Sequence, residues 1–391
     1  MKLLLSGDNY VYLCQGRYYA ADSEAFNLYC RYLRTFEQIR LVTRCISSDF
    51  VADKWIPLDN EPRIEFFPLP IFHGPKEYLK VFWNIRKKAK KAIEGCDAAI
   101  LRVPSTVAMV IGKFVMKAKM PYATEVVYDA EDGWKYSSGL NRLIWKKIDK
   151  DLRLLCYNSN GVSCVTEKYM QRIYYSKKDN AFYSHYSSLA LPKSFYTKSP
   201  KKYPKGNSFV IAHTANQIQF NGRKGHNEVI MAASLLQKRG LDIRIKFAGL
   251  DYENGIDQLK RYACILGIED KVDFVGYLDR SSLSMFLDSS DLFVLPTKAE
   301  GLPRVIIEAM AKALPCISTN VSGNSELLDE EYLIEDFYDA DALAACVEKI
   351  VINHDVYEAV SARNLKKSRE YENDLLQKRR DDFYLNLRNH I

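Results

Sequence analysis

Short apolar runs alternate along this chain with longer segments of helical period. In the first half the runs are "KLLLS" (2–6), "IRLVTRC" (39–45), "IEFFPLP" (64–70), "AAILRVP" (98–104), "YATEVVY" (122–128) and "GVSCVT" (161–166). In the second half they are "FVIAHTA" (209–215), "IRIKFAG" (243–249), "VDFVG" (272–276), "DLFVLP" (291–296) and "PCIST" (315–319). Helical patterns intervene, such as "HNEVIMAASLLQKRG", which closes on Gly240 as a helix end does. Strand and helix in strict alternation predict parallel sheets covered on both faces. Two such runs predict two Rossmann-like, doubly wound α/β domains, with the join in the Pro-, Lys- and Ser-rich stretch 191–208. The expected division is residues 1–200, then 201–370, then a charged helix at 371–391 that returns to the first domain. In open α/β sheets ligands bind beyond the carboxyl ends of the strands, so the expected site is a cleft that the two domains face.

Length agrees with two cores: 391 residues exceed one ordinary domain. With 47% hydrophobic and 27% charged residues the chain is globular. The net charge of +7 suits an anionic ligand or an acidic membrane surface, but is more dilute than nucleic-acid binders carry, so no nucleic-acid partner is expected. Nine scattered cysteines without a Cys-x-x-Cys pair read as reduced thiols of a cytosolic protein. Six histidines without a His-Glu-x-x-His spacing give no metal site. The amino terminus reads as a strand and turn rather than a signal peptide, and no apolar run approaches the ~18 residues that span a bilayer. A role at a membrane would be peripheral, on the cytoplasmic face.

The stretch from Thr297 to Thr319, "TKAEGLPRVIIEAMAKALPCIST", places Glu300 before a helix and Glu308 inside it. Pro303 can occupy the first helical turn, where its missing N–H is not needed. The N–H groups of Leu302, Arg304 and Val305 are then helix-start donors, an anion site suited to a diphosphate, and Gly301 permits close approach. Glu308 lies roughly 7.5 Å further along, at 1.5 Å per residue. A ligand with hydroxyls at both ends and phosphates between, such as a nucleotide sugar, would meet both carboxylates. Equally, Glu308 could pair with Arg304 on a wet helix face and Glu300 could be an ordinary loop residue.

From about Phe209 to Glu326 the sequence resembles the retaining family-4 glycosyltransferases of the two-domain GT-B fold, including members that build bacterial surface polysaccharides. The motifs that carry this are "AEGLPRVIIEAMAKALPCIST", which looks like the family's Glu-x7-Glu element, with "NGRKGHNEVIMAA", "KFAGLD", "VDFVGYLDR" and "VSGNSELL". The first half resembles the acceptor half more loosely, at "FNLYCRYLRTF", "PYATEVVYDAEDGW" and "GVSCVTEKYMQRIYY".

The resemblance implies roles at matching positions. Lys224 matches the lysine that neutralises the donor diphosphate. Arg223, beside it, stands in for an arginine the family carries several residues earlier, and Gln217 or Asn216 would line the phosphates. Glu300 matches the carboxylate near the donor sugar, Gly301 and Leu302 the backbone amides at sugar and phosphate, and Glu308 the ribose ligand. Gly276, Tyr277 and Leu278 match the loop that receives the base. Glu326 reads as a structural helix-start carboxylate, and His213 as a satisfied strand-end histidine. Where relatives place a first-domain histidine near the sugar, this chain has Asp129, which would hold the acceptor hydroxyl or face the sugar ring, or else simply form the turn before a helix. Where many relatives carry a glycine pair in the turn after the first strand, this chain has Ala20, Ala21, Asp22 and Ser23, and Gly16 and Ser23 would approach the phosphates or the acceptor. The triplets at 149–151 and 339–341 mimic a metal-binding Asp-x-Asp but fall in a lysine-rich helix and at a helix start, so no metal is expected.

The helix 140–157 sets Leu140, Leu143, Ile144, Ile148, Leu152 and Leu155 on one stripe among basic residues, and 84–95 is also basic. The stripe packs on the sheet, and the charges would be free to meet anionic lipid. The function implied is metal-independent transfer, with retention, of a hexose-type sugar from a nucleotide sugar, a UDP-sugar ahead of a GDP-sugar, to a glycan on a polyprenyl diphosphate lipid. The rivals are a nucleotide-sugar epimerase or hydrolase on the same fold, and a basic lipid- or nucleic-acid-binding protein.

Overall fold

The computed structural model describes residues 1–135, 137–206 and 208–391. It divides into two units: Met1–Tyr186 with Gln377–Ile391, and Ser187–Leu376.

Among the described residues the first unit holds ten strands: β1 (Lys2–Ser6), β2 (Val11–Cys14), β3 (Arg17–Ala20), β4 (Gln38–Ser47), β5 (Ile56–Pro57), β6 (Ile64–Leu69), β7 (Ala98–Val103), β8 (Tyr122–Val126), β9 (Gly161–Cys164) and β10 (Phe182–His185). Their order is β10-β9-β8-β7-β1-β4-β2-β3-β5, with β6 also paired to β4. All pairs are parallel except β2–β3 and β3–β5. Leu3, Leu4, Ile100, Leu101 and Ala123 are fully buried along its centre, as strands covered on both faces require.

The hairpin β2–β3 is not evident from the apolar pattern, because each arm is only four residues long. Its two-residue turn, Gln15 and Gly16, has positive φ at both positions (49° and 79°), the geometry that matches strand twist. Gly16 therefore belongs to a hairpin tip with open space around it, and Ser23 opens a helix capped by Asp22 (Ala25 N to Oδ1, 2.8 Å). The segment that follows β1 is thus a hairpin and then a capped helix.

Glu125, on β8, is 2% exposed and is the polar hub of this unit. Its Oε2 accepts from Tyr32 Oη (2.8 Å) and Arg102 Nη1 (2.5 Å), and its Oε1 from Tyr186 Oη and Tyr384 Oη (both 2.9 Å). Burial pushes all three phenols above their ordinary range, so they remain donors. Tyr384 lies on the helix Asn373–Arg388, whose Phe383 and Leu387 are also buried. Arg34 grips Asp381 through two nitrogens, and Arg388 donates to Thr35 O (2.8 Å). The last 15 residues are thus integral to the first unit.

The second unit contains β11 (Ser208–Ile218), β12 (Asp242–Asp251), β13 (Val272–Gly276), β14 (Leu292–Leu295), β15 (Cys316–Thr319) and β16 (Leu333–Ile334). The order is β13-β12-β11-β14-β15-β16, parallel throughout. Residues 195–201 of the expected join are attached to this unit: Phe195 and Tyr196 are buried, Thr197 N donates to Ala311 O (3.0 Å), and Lys201 N to Ser361 Oγ (2.8 Å).

The helix Gly139–Tyr157 leaves its first turn exposed and packs more fully toward its carboxyl end. Leu152 and Leu155 are buried, Ile144 and Ile148 half-buried, while Leu140 and Leu143 are exposed. Of its two acids, Asp149 pairs with Arg153 (3.0 Å) and Asp151 with Lys113 (2.8 Å), so the triplet at 149–151 does not converge; Asp339 caps the helix Ala340–Val351.

Replacing Glu125 by Leu strands Arg102 without its carboxylate and is expected to destabilise the first unit by ~3–5 kcal/mol. Tyr384→Phe, which loses one hydrogen bond, is expected to cost ~1–2 kcal/mol. Urea unfolding monitored on both variants checks the ranking.

Candidate active site

Two strand-to-helix turns meet at the carboxyl end of the second sheet. The first leads from β11 to the helix His226–Lys238, the second from β14 to the helix Arg304–Ala311. β11 and β14 are neighbours (Ile211↔Leu292), which sets the two turns side by side. Gly225 seals the contact. Its φ is +67°, and a Cβ there would lie 2.4 Å from Pro296 O, so only glycine fits. Lys298 N donates to Arg223 O (3.0 Å), a second tie between the turns.

This packing brings Lys224 Nζ into a short ion pair with Glu300 Oε1. Both side chains are largely enclosed, with 27% and 13% exposed. Thr297 Oγ1 donates to the same Glu300 oxygen (3.2 Å), and the Thr297 peptide is held by Thr319, whose hydroxyl accepts from Thr297 N (2.9 Å) and donates to Thr297 O. Thr297 and Thr319 are completely buried and were not singled out in the sequence; a threonine at a strand end carries no distinguishing spacing.

Gly301 O accepts from Gly323 N (3.1 Å) and Ser322 Oγ (3.4 Å). Across a trans peptide the Leu302 N–H must then point to the opposite side. Pro303 is the residue before the helix, with ψ 107°, rather than its first turn, and its ring offers no side-chain cap. The fixed proline φ suits either place; the extended ψ delays the helix by one residue. Arg304 and Val305 are the first two helical residues, and no carbonyl of their own helix can reach their N–H groups. Glu308 is half-buried on this helix, and of the expected apolar stripe Ile306, Ala309, Met310 and Ala313 are buried and Val305 half-buried.

The other expected residues stand farther off. Arg223 is exposed, and its guanidinium has no hydrogen bond or ion pair among the described residues. Gln217 is exposed on β11, which runs past the expected end at 215 through a register shift and pairs Gln217 with Leu250. Gly276 ends β13, Tyr277 is 70% exposed and Leu278 half-buried. β13 is two strands from β11, roughly 10 Å at ordinary strand spacing. Asp129 lies in the first unit and is wholly buried: its Oδ1 accepts from Tyr174 Oη (2.7 Å) and Glu131 N (3.0 Å), and burial raises its pKa. These bonds through Oδ1 shape the turn before the helix Ala130–Lys135, while the buried Oδ2 takes no hydrogen bond among the described residues.

Behind the ion pair lie His213 and His226, with ring centroids 4.6 Å apart. Both are buried. His213 Nδ1 donates to Val294 O (2.8 Å), so it is a core histidine. Burial, and then the Lys224 charge, depress His226 to about 4; burial, and then His226, hold His213 well below its ordinary value. Two neutral rings leave Lys224 as the fixed cation of the site.

Residues 199–367 match the family described as glycosyl transferases group 1. Over that stretch, which lies within the second unit, the chain belongs to this family. Among curated relatives, Protein CapJ of Staphylococcus aureus is 25% identical over 390 residues, 99% of this chain and 95% of that one. The S. aureus capsular polysaccharide biosynthesis glycosyltransferase CapM is 27% identical over 175 residues, 44% of each chain. An Escherichia coli UDP-Gal:alpha-D-GlcNAc-diphosphoundecaprenol alpha-1,3-galactosyltransferase is 35% identical over 71 residues, 18% of each. Among solved structures, Anabaena HepE in complex with UDP and glucose superposes with TM-score 0.64 over 98% of this glycosyltransferase and 99% of that chain, at 15% identity. The fold, two mostly parallel α/β sheet domains, is GT-B.

Two measurements check the site's physics. Gly225→Ala forces a left-handed backbone at ~1–2 kcal/mol and collides with Pro296; the expected outcome is a lower melting temperature and weakened nucleotide binding. His226 binds its proton more weakly folded than unfolded, so its contribution to stability is present above pH 6.5 and is lost as pH falls toward 4. Between pH 7 and pH 5 this amounts to about 2 kcal/mol in urea titrations, a loss that His226→Gln should remove.

Proposed function

We propose that this glycosyltransferase moves a hexose-type sugar from a UDP-sugar to a glycan acceptor carried on a polyprenyl diphosphate lipid, in surface polysaccharide synthesis, with retention at the anomeric carbon. The Lys224–Glu300 pair beside the open amino end of the Arg304–Ala311 helix carries the reading. The capsular polysaccharide role of CapM, the reaction named for the E. coli galactosyltransferase, and the UDP and glucose bound by HepE support the substrate classes.

The second unit holds the donor. Lys224 exchanges one Glu300 oxygen for the diphosphate, and the Leu302, Arg304 and Val305 N–H groups donate to the same anion. Arg223, exposed and unpaired among the described residues, adds charge from the adjoining turn, and Gln217 lines the same side. Glu300, relieved of Lys224, accepts from sugar hydroxyls, and Gly301 allows the sugar to approach. Glu308 accepts from the ribose, and Gly276, Tyr277 and Leu278 receive the base. The first unit serves the acceptor, with Asp129 fixing the turn after β8.

In the transfer step the bond from the anomeric carbon to the β-phosphate oxygen breaks, and that oxygen keeps the electron pair. The acceptor oxygen bonds to the same face of the carbon, and its proton passes to the departing phosphate. Negative charge therefore grows on the diphosphate, where Lys224 and the amide donors are already aimed. Preorganised stabilisation of this kind accelerates chemistry most when water is excluded. No metal is given a role, and the enzyme works at the cytoplasmic face of the membrane, where such a lipid acceptor presents its sugar.

Transfer from UDP-sugars to a polyprenyl-diphosphate glycan, followed with Lys224→Ala and with Glu300→Gln, tests the reading. The expected loss is ~100-fold or more in kcat for each, with UDP raising the melting temperature of the wild type. Full transfer by the double variant overturns the assignment of the site. Rapid turnover of donor without acceptor favours the epimerase or hydrolase instead.

A further inference from the structure

Two helices of the first unit carry apolar side chains on the outside. On Gly74–Ala92, Leu79 and Trp83 stand one turn apart and are 71% and 79% exposed. Lys76, Lys80, Lys87, Lys90 and Lys91 are exposed on the same helix. At 100° per residue these seven positions fall within an arc of about 120°, opposite the buried Ile85, Ala89 and Ala92. The helix has one acid, Glu77, which is turned back to accept from His73 N (2.6 Å). On Gly139–Tyr157 the exposed arc repeats the composition: Leu143 and Leu154 are 64% and 54% exposed, with Lys146, Lys147 and Lys150 beside them.

Both helices lie on one side of the first sheet. The chain passes from β6 to β7, β8 and β9 in one direction across the sheet, and right-handed crossovers in one direction place their helices on one face. Helix Thr106–Lys117 sits between the two and packs against both. Single exposed leucines are ordinary, but a tryptophan and three leucines set among eight lysines on one side of one unit are not. Tryptophan partitions to the level of lipid headgroups, and clustered lysines are drawn to an anionic leaflet.

We propose that this face, centred on Leu79 and Trp83, docks on an anionic phospholipid surface. The apolar tips enter the headgroup layer while the lysines remain among the lipid phosphates. Charge complementarity selects the occupant: the face is convex in the manner of a helix, carries one sign of charge on flexible lysines, and so fits a fluid anionic sheet better than a shaped protein partner. The inference rests on the proposed lipid-linked acceptor only for why a membrane would be visited.

The full chain is sedimented with phosphatidylcholine vesicles with and without phosphatidylglycerol, across a salt series. The expected result is binding to the anionic vesicles alone, weakening severalfold as salt rises. Leu79→Ser with Trp83→Ser, and separately Lys80→Glu with Lys87→Glu, should each lower the partition coefficient at least tenfold while melting temperature and the UDP-induced shift stay unchanged. Brominated acyl chains should quench tryptophan emission in the wild type and markedly less in Trp83→Phe. Absence of wild-type binding to anionic vesicles, or equal binding by the variants, overturns the proposal. So does a concentration-dependent dimer that Trp83→Ser dissolves without any vesicle binding, which would assign the face to a second copy. Failure of sugar transfer leaves the vesicle measurement standing, so the two readings fail separately.

Discussion

The ion pair between Lys224 and Glu300 is the constraint around which the second unit's site is arranged. It joins two turns that are 76 residues apart in the chain, and it exists because Gly225 lets one turn press on the carbonyl of Pro296. A cation and a carboxylate half-removed from water have few substitutes for each other. In the proposed reading an arriving diphosphate offers the lysine a better partner and leaves the carboxylate ready for hydroxyl groups. The resting pair keeps both residues ordered. The buried Thr297–Thr319 contact beneath it and the uncharged histidines behind it keep the lysine's charge from being shared or opposed.

The first unit is organised by another buried charge with the opposite purpose. Glu125 spends every acceptor site on phenols and a guanidinium drawn from four separate parts of the chain. Nothing is held in readiness there, and the carboxylate is a junction. Asp129, four residues on, commits only its Oδ1 to Tyr174 and the local backbone. Two acids near one strand end can therefore differ in how fully their bonding is satisfied.

Much of this was legible from residue order. Apolar runs located the main parallel strands within a few residues, because a strand buried on both faces must be continuously apolar. The Gly-Arg-Lys-Gly-His turn and the paired glutamates were visible because their spacing is tied to helix starts. The hairpin β2–β3 was not, since four-residue arms offer two alternations at most. The hub at Glu125 was hidden for a different reason: its partners lie 23 to 259 residues away, and a tyrosine that donates to a buried carboxylate looks like any core aromatic. The overhang of β11 past Thr214 could not be foreseen either, because it depends on a register shift against β12. The apolar stripe of helix 140–157 predicts packing along its length, yet Leu140 and Leu143 stay in solvent, because burial depends on the neighbouring surface as well as on periodicity.

The carboxyl-terminal helix adds a constraint of time. Tyr384 completes the coordination of Glu125, yet a ribosome delivers it only after the whole of the second unit. The second unit, contiguous from Ser187 to Leu376, has all its strands before that moment, whereas the first must wait with an arginine and a carboxylate only partly satisfied. Synthesis therefore reverses the order of the chain: the half begun first is finished last.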